Sequence, residues 1–401
     1  MQEEQRLRAH SMDRRGFLRA AAMGLPLAAL LSEESAEGQA PVATAQESRR
    51  LPGMIVREKM PENLEFPFST LDTFLTPNDR FYVRSHFAVP TLDTATWRLR
   101  VEGAVKTPLE LTLADLMQMP SRTVSATLEC AGNGRVFLSP ATKGAQWELG
   151  AVSNAEWTGV PLAAVLQKAG VQPGAVEVVL EGADSGEIKD PPKPSGPIHF
   201  ARSLPLAQAM RPEVLLAYRM NGAELPVAHG FPLRGVVPGC YGVASVKWLT
   251  RLIVTDRPFN GHFQSVDYAV WERTNGLPTR VPIMEMQVKS QIARPDMREE
   301  VKAGSVYRVY GAAWTGDSEI TQVEVSTDSG LTWQPTRLLG KSMRFTWRFW
   351  EMKWNVPTRS GRYTLLSRAT DAHGRTQPLL RQPDAENYLI HHSLPIDVDV
   401  R

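Results

Sequence analysis

Leu128-Glu129-Cys130-Ala131-Gly132-Asn133-Gly134-Arg135 is the stretch on which the reading of this chain turns. An apolar, strand-like run leads into it, small residues follow the cysteine, and an arginine closes it. That order displays a thiol on a loop. Nearby positive charge lowers a thiol's pKa, so Cys130 suits a soft metal ligand or a nucleophile. One other cysteine is present, Cys240, which follows Pro238-Gly239 in an apolar segment and reads as a small buried hydrophobe. Two cysteines so far apart make no disulfide framework, and there is no Cys-x-x-Cys-His for a c-type haem.

Around this loop, from Leu51 to about Pro282, short apolar strands mix with a few helical stretches. Trp97–Val105, Val176–Glu181 and Ser245–Val254 read as strands from alternation and β-branched content. Leu111–Gln118 reads as a helix signalled by Thr112-Leu113-Ala114-Asp115, and Leu162–Ala169 as one ended by Gly170. Scattered prolines, 30 in all, favour a loop-rich α+β fold over a helical bundle. After Pro282 the texture changes. Val301–Ala312, Gln322–Ser326, Trp333–Leu338, Thr346–Val356 and Tyr363–Asp371 are short strand-like segments punctuated by Asp328-Ser329-Gly330, Arg359-Ser360-Gly361 and His373-Gly374. This spacing predicts an immunoglobulin-like β-sandwich.

Composition excludes little and guides a good deal. Of 401 residues, 42% are hydrophobic and 22% charged, enough for two cores. A formal charge of +2, with no dense basic block in the mature part, argues against nucleic acid as a partner. Near the N-terminus, Arg14-Arg15-Gly16-Phe17-Leu18 precedes an apolar run from Ala20 to Leu31. As a helix that run spans roughly 18 Å, short of a bilayer core of about 30 Å. It reads as a twin-arginine signal peptide, and no later segment is apolar and long enough to cross a membrane. The expected divisions are a signal at 1–40, a catalytic domain at 41–285 and a sandwich at 286–401, in a soluble periplasmic protein.

The cysteine loop and the motifs around it resemble, in order, those of the sulfite oxidase family. They run from Phe81-Tyr82-Val83-Arg84-Ser85-His86 through the loop, Trp147 and Asn154–Leu162 to Gly182-Ala183-Asp184-Ser185-Gly186. Leu215–Gly222, His229-Gly230-Phe231-Pro232-Leu233-Arg234, Val236–Gly239 and Ser245-Val246-Lys247-Trp248-Leu249 follow. Ala312–Gly316 and Val323–Trp333 resemble that family's C-terminal dimerisation domain. The resemblance implies a molybdenum–pyranopterin cofactor whose metal is held by Cys130. It implies cofactor binding by His86, Asp184, His229, Arg234, Ser245 and Lys247, and a small-oxyanion pocket made by Arg84, Arg135, Trp147 and Tyr268. Guanidinium forks suit such an anion, and a pterin phosphate calls for Arg, Lys and His. The implied activity is oxygen-atom transfer to sulfite. With no haem expected on this chain, electrons leave to a cytochrome c, and the sandwich implies a homodimer.

Two departures from the family pattern stand out. Its vertebrate members carry Arg-Arg where this chain has Gly134-Arg135, and a C-terminal Asn-x-Arg-Gly where it has Asn387-Tyr388-Leu389-Ile390. With less positive charge in the pocket, either sulfite binds more weakly or the substrate is another sulfur species. A sulfane dehydrogenase subunit is therefore the competing expectation. A nitrate reductase domain, and a binding module that has lost its cofactor, are weaker rivals, opposed by the export signal and by the retained site residues.

Overall fold

The computed structural model describes residues 53–382 and 385–401, so the expected signal peptide lies outside the described residues. From the start of that range to Arg401 the chain is one compact unit, and packing continues across residues 285–286. A single apolar core joins Phe68, Leu99, Leu166 and Tyr241 to Ala312, Trp314 and Trp347.

Two five-stranded sheets frame the first part. One pairs Arg122–Glu129, Val152–Pro161, Leu215–Met220 and Ala223–Glu224 in that order, with Arg234–Val236 also added to Leu215–Met220. The other runs Leu109–Leu111, Leu99–Gly103, Leu249–Thr255, Glu177–Gly186 and Ile198–Pro205. Its pairing of Leu99–Gly103 with Leu249–Thr255 is parallel.

Helices are few and short, so the structure is more β-rich than the α+β expectation. Leu113–Gln118 starts behind Thr112, whose side chain accepts from Asp115 N while the Asp115 carboxylate accepts from Thr112 N. That reciprocal cap fixes the start, and Leu111, expected inside the helix, ends a strand instead. Leu162–Ala169 stops at Gly170, whose φ of 71° favours a residue without a Cβ.

The second part is a two-sheet sandwich. One sheet orders Lys289–Arg294, Val306–Trp314, Arg348–Asn355 and Arg337–Leu338. The facing sheet orders Glu300–Val301, Ile396–Val400, Gly361–Asp371, Ile320–Ser326 and Gln334–Pro335. Ile292, Val309 and Trp350 from the first meet Val323, Leu365 and Val398 from the second in one core. Each such side chain, fully buried, contributes roughly 1.5–3 kcal/mol.

Candidate active site

Cys130 leaves the end of the strand Arg122–Glu129 and is held by its backbone N–H, which donates to Ala151 O at 2.9 Å. Its side chain lies where two cavities meet. The inner one is lined by Tyr82, Asp184, His229, Arg234, Ser245 and Lys247 among others, and Arg84, His86, Cys130 and Tyr268 line both. The outer, wider one adds Arg135, Lys143, the loop 187–192, Asp267 and residues 386–388.

Most inner-cavity groups come from places where regular structure breaks. The ladder between Glu177–Gly186 and Ile198–Pro205 shifts register between Glu181 and Ser185, and Asp184 sits on that irregularity. Bulges of this kind re-aim side chains beside active sites. A Cβ on Gly182 would lie 2.5 Å from Asp184 Oδ1 and 2.7 Å from Lys247 O, so this close approach requires glycine. His229 ends the 3-10 turn Val227–His229, and Arg234 opens the short strand Arg234–Val236. Lys247 and Ser245 precede the strand Leu249–Thr255.

The inner cavity concentrates positive charge out of water. Arg234 donates to His229 O at 2.9 Å and Ser245 O at 3.1 Å, and its guanidinium lies 4.7 Å from the Trp157 ring centre. Burial lowers its pKa to about 10. Lys247 donates to Ser85 Oγ at 3.0 Å and Ala228 O at 2.9 Å. Burial, with Arg234 close by, brings it down to about 7 despite Asp184. His229 lends Nε2–H to Asn78 O at 3.0 Å, and burial among Lys247 and Arg234 depresses it to about 3. Ser245 Oγ accepts from Val237 N at 3.1 Å. Asp184 is buried with its Oδ1 bonded to nothing, and burial raises its pKa to about 6.

This pattern fits a pterin phosphate. A buried acceptor without a donor suits ring N–H groups, and desolvated Arg234 and Lys247 suit a phosphate dianion. Cys130 supplies the soft sulfur donor that molybdenum takes.

At the junction, Tyr268 Oη and His86 Nε2 share a hydrogen bond of 2.7 Å, and the His86 ring stacks 4.6 Å from Phe200. Burial beside Arg84 and Lys247 pushes His86 well below the ordinary histidine value. Burial raises Tyr268 to about 12, although Arg84 pulls it down. Arg84 donates to Ser85 O through Nη1. Burial opposes its charge, but Tyr268 and Cys130 outweigh that and leave its pKa above the usual arginine value.

One expected pocket residue is placed differently. Trp147, expected on the substrate wall, is fully inaccessible in the apolar cluster that also holds Phe81 and Trp157, and it lines neither cavity. Aromatic residues that do line the outer cavity are Phe87, Phe263, Tyr268 and Tyr388, the two tyrosines 4.7 Å apart by ring centres. Arg135 lines the outer cavity as expected, with two of its three guanidinium nitrogens engaged. Nη1 donates to Ala145 O at 2.7 Å, Nε to Asn387 O at 3.3 Å, and the guanidinium lies 5.3 Å from the Tyr388 ring centre. Tyr388, which sequence reasoning did not place in the site, donates to Asp267 Oδ1 at 2.7 Å. Cys240 is buried outside both cavities, where Gln208 donates to its Sγ at 3.0 Å and burial raises its pKa to about 11.

Comparison with known proteins follows the same lines. A family model for the oxidoreductase molybdopterin binding domain matches residues 86–263, and one for the Mo-co oxidoreductase dimerisation domain matches 280–384. Sulfite oxidase of Arabidopsis thaliana is 33% identical over 368 residues, 84% of this chain and 91% of that protein. The chain belongs to the sulfite oxidase family. Mitochondrial sulfite oxidase of Homo sapiens is 39% identical to this family member over 353 residues, 83% of the chain. The chain spans 63% of that human relative's length. The crystal structure of the sulfane dehydrogenase SoxCD from Paracoccus pantotrophus matches with a TM-score of 0.71 at 28% identity, covering 88% of this chain and 86% of that one.

Proposed function

We propose that this protein is a molybdopterin-dependent oxidoreductase that converts sulfite and water to sulfate, two electrons and two protons. The observation that carries the reading is the inner cavity, where Asp184 Oδ1 has no partner beside desolvated Arg234 and Lys247, opening onto the Cys130 thiol. Cys130 binds the metal. Asp184 accepts from the pterin, and His86, His229, Arg234, Ser245 and Lys247 hold the rest of the cofactor. The bound metal supplies oxygen-atom transfer to sulfur and accepts the electrons released.

Arg84 binds the sulfite oxygens at the junction, where its charge persists at any working pH. Tyr268 keeps its proton at neutral pH and orients substrate through its hydroxyl. Electrons pass to a cytochrome c on another chain. The sandwich, of immunoglobulin type, pairs two copies, and the protein is exported to the periplasm by its twin-arginine signal. Within the described residues no helix is long and apolar enough to cross a membrane.

A second reading, oxidation of a sulfane sulfur, is favoured by one observation. Nε and Nη1 of Arg135 donate to its own chain, leaving it fewer free donors for a small oxyanion. A steady-state assay of the molybdenum-loaded protein, with cytochrome c or ferricyanide as acceptor, separates the two. Turnover on sulfite that Cys130→Ser abolishes supports the first. A Cys130→Ser variant that holds molybdenum and turns over fully sinks the assignment, and an active site inert to sulfite yet active on a sulfane shifts it to the second.

A further inference from the structure

We propose that Glu129 and Lys289 act together as positioning residues for the Cys130 thiol, so that the sandwich holds the metal ligand of the catalytic part in place. The inference rests on the reading of Cys130 as that ligand.

Successive side chains of a strand point to opposite faces. Cys130 faces the cavities and Glu129, one residue before it, does not line them. Behind the loop the Glu129 carboxylate is fully buried and meets an equally buried lysine from the first strand of the sandwich, Lys289. Lys289 Nζ donates to Glu129 Oε1 at 2.8 Å and to Asn133 O at 3.0 Å. Trp314 Nε1 donates to Glu129 Oε2 at 2.8 Å, and Asn133 Nδ2 to Oε1 at 3.1 Å. Asn133 in turn closes the loop, its N–H donating to Cys130 O at 2.9 Å and its Oδ1 accepting from Ala151 N at 3.1 Å. The turn that carries the thiol is thus fixed from behind at both ends by one buried charge pair.

Stability alone does not account for this arrangement. Taking a carboxylate and an ammonium out of water is costly, and apolar residues of similar volume commonly serve a core as well or better. A salt bridge spanning the two parts of the chain, one residue from the thiol, gives orientation that apolar packing does not. Partners behind a metal ligand typically change affinity or activity about 10- to 100-fold.

The test uses the full-length protein with Lys289→Met and, because that change strands a buried carboxylate, Glu129→Gln/Lys289→Met as well. In molybdenum-free protein, iodoacetamide labelling of Cys130 and Cys240 is followed by peptide mass spectrometry. We expect Cys130 to label about tenfold faster in the variants with Cys240 unchanged, the order of effect of a lost supporting partner. In loaded protein we expect an altered Mo(V) electron paramagnetic resonance spectrum and a kcat about tenfold lower, with KM for sulfite little moved. Equal acceleration at both cysteines means general loosening and overturns the proposal. So does a double variant with the parent's labelling rate and spectrum. Should the parent take up no molybdenum, the proposed function fails, while the labelling ratio still decides whether the pair positions the thiol.

Discussion

In the inner cavity Asp184 Oδ1 is buried without a partner, and Arg234 and Lys247 are drawn down to about 10 and about 7 by burial. In the outer cavity Arg135 is just as buried, yet it donates to Ala145 O and Asn387 O and lies against Tyr388. Both regions contain cations, and the inner one also holds a buried acceptor, Asp184 Oδ1, with no partner. A protein that carries an uncompensated acceptor beside desolvated cations gains when a ligand supplies the missing charges and donors. A cavity without such an acceptor gains less from a ligand. Sequence motifs assign Arg234 to the cofactor and Arg135 to the anion pocket. Both donate to backbone carbonyls, Arg234 to His229 O, Ser245 O and Gly235 O, so what separates them is the unpartnered Asp184 acceptor and the desolvation of the inner cavity.

The largest effect that tests this comparison is on cofactor retention. A charge-assisted hydrogen bond contributes about 1.5–3 kcal/mol, so Arg234→Met or Lys247→Met should weaken cofactor binding by roughly 10- to 100-fold. Molybdenum and pterin content after gel filtration measures it. Arg135→Met should leave both contents unchanged, and equal losses in all three variants would erase the distinction between the cavities.

A smaller effect concerns substrate. Arg84→Lys should raise KM for sulfite by about tenfold, because an ammonium cannot reproduce the guanidinium fork. Arg135→Lys should move KM little and instead lower stability by about 1–2 kcal/mol, as its two bonds to carbonyls are lost. Steady-state kinetics and thermal melting of the same samples read both. If Arg135→Lys raises KM as far as Arg84→Lys, Arg135 exchanges its own-chain bonds for substrate, and the outer cavity is a second anion site.

Cys130, Asp184, Arg234 and Lys247 are legible in the sequence because each sits in a short motif whose backbone geometry is local. The outer cavity is less so, since distant segments make it. Gly134 and residues 387–390 read as two unrelated departures from the family pattern. In the structure they touch: Gly134 has φ 99°, and a Cβ there would lie 3.0 Å from both Ile390 Cγ2 and Leu394 Cδ1. Leu389 N donates to Ala131 O at 3.0 Å, which lays the C-terminal segment on the cysteine loop and brings Tyr388 beside Arg135. The opposite failure is Trp147, which lies close to the loop in sequence but on its packed side. Lys289 is hidden for another reason, in that all of Lys289–Ala293 is buried and a strand covered on both faces shows no alternation. Ile396–Val400 does alternate, with Ile396, Val398 and Val400 inward, but the strand expectations end at Asp371.

The smallest predicted effect separates the cavity from the packing behind it by pH. His392 is lowered to about 4 by burial, with Lys289, His391 and Arg381 near it, and His391 is lowered by burial too. Neither lines the cavities. An unfolded histidine titrates near 6.5, so between pH 6.5 and about 4 the unfolded chain binds a proton at residue 392 that the native state refuses. Stability therefore falls as pH drops through that window, at residue 392 by at most about 1.4 kcal/mol per pH unit once well below 6.5. Asp184 has the reverse sign, since its native value near 6 stands above the unfolded one and favours the native state as pH falls. His392→Gln should remove one proton's worth of slope from denaturant unfolding measured between pH 6 and 5. It should do so equally with and without cofactor, because the group lies behind the loop. A slope that changes only in the loaded protein would tie His392 to the cavity after all, and the division between ligand-holding and supporting charges would then need to be redrawn through the C-terminal segment.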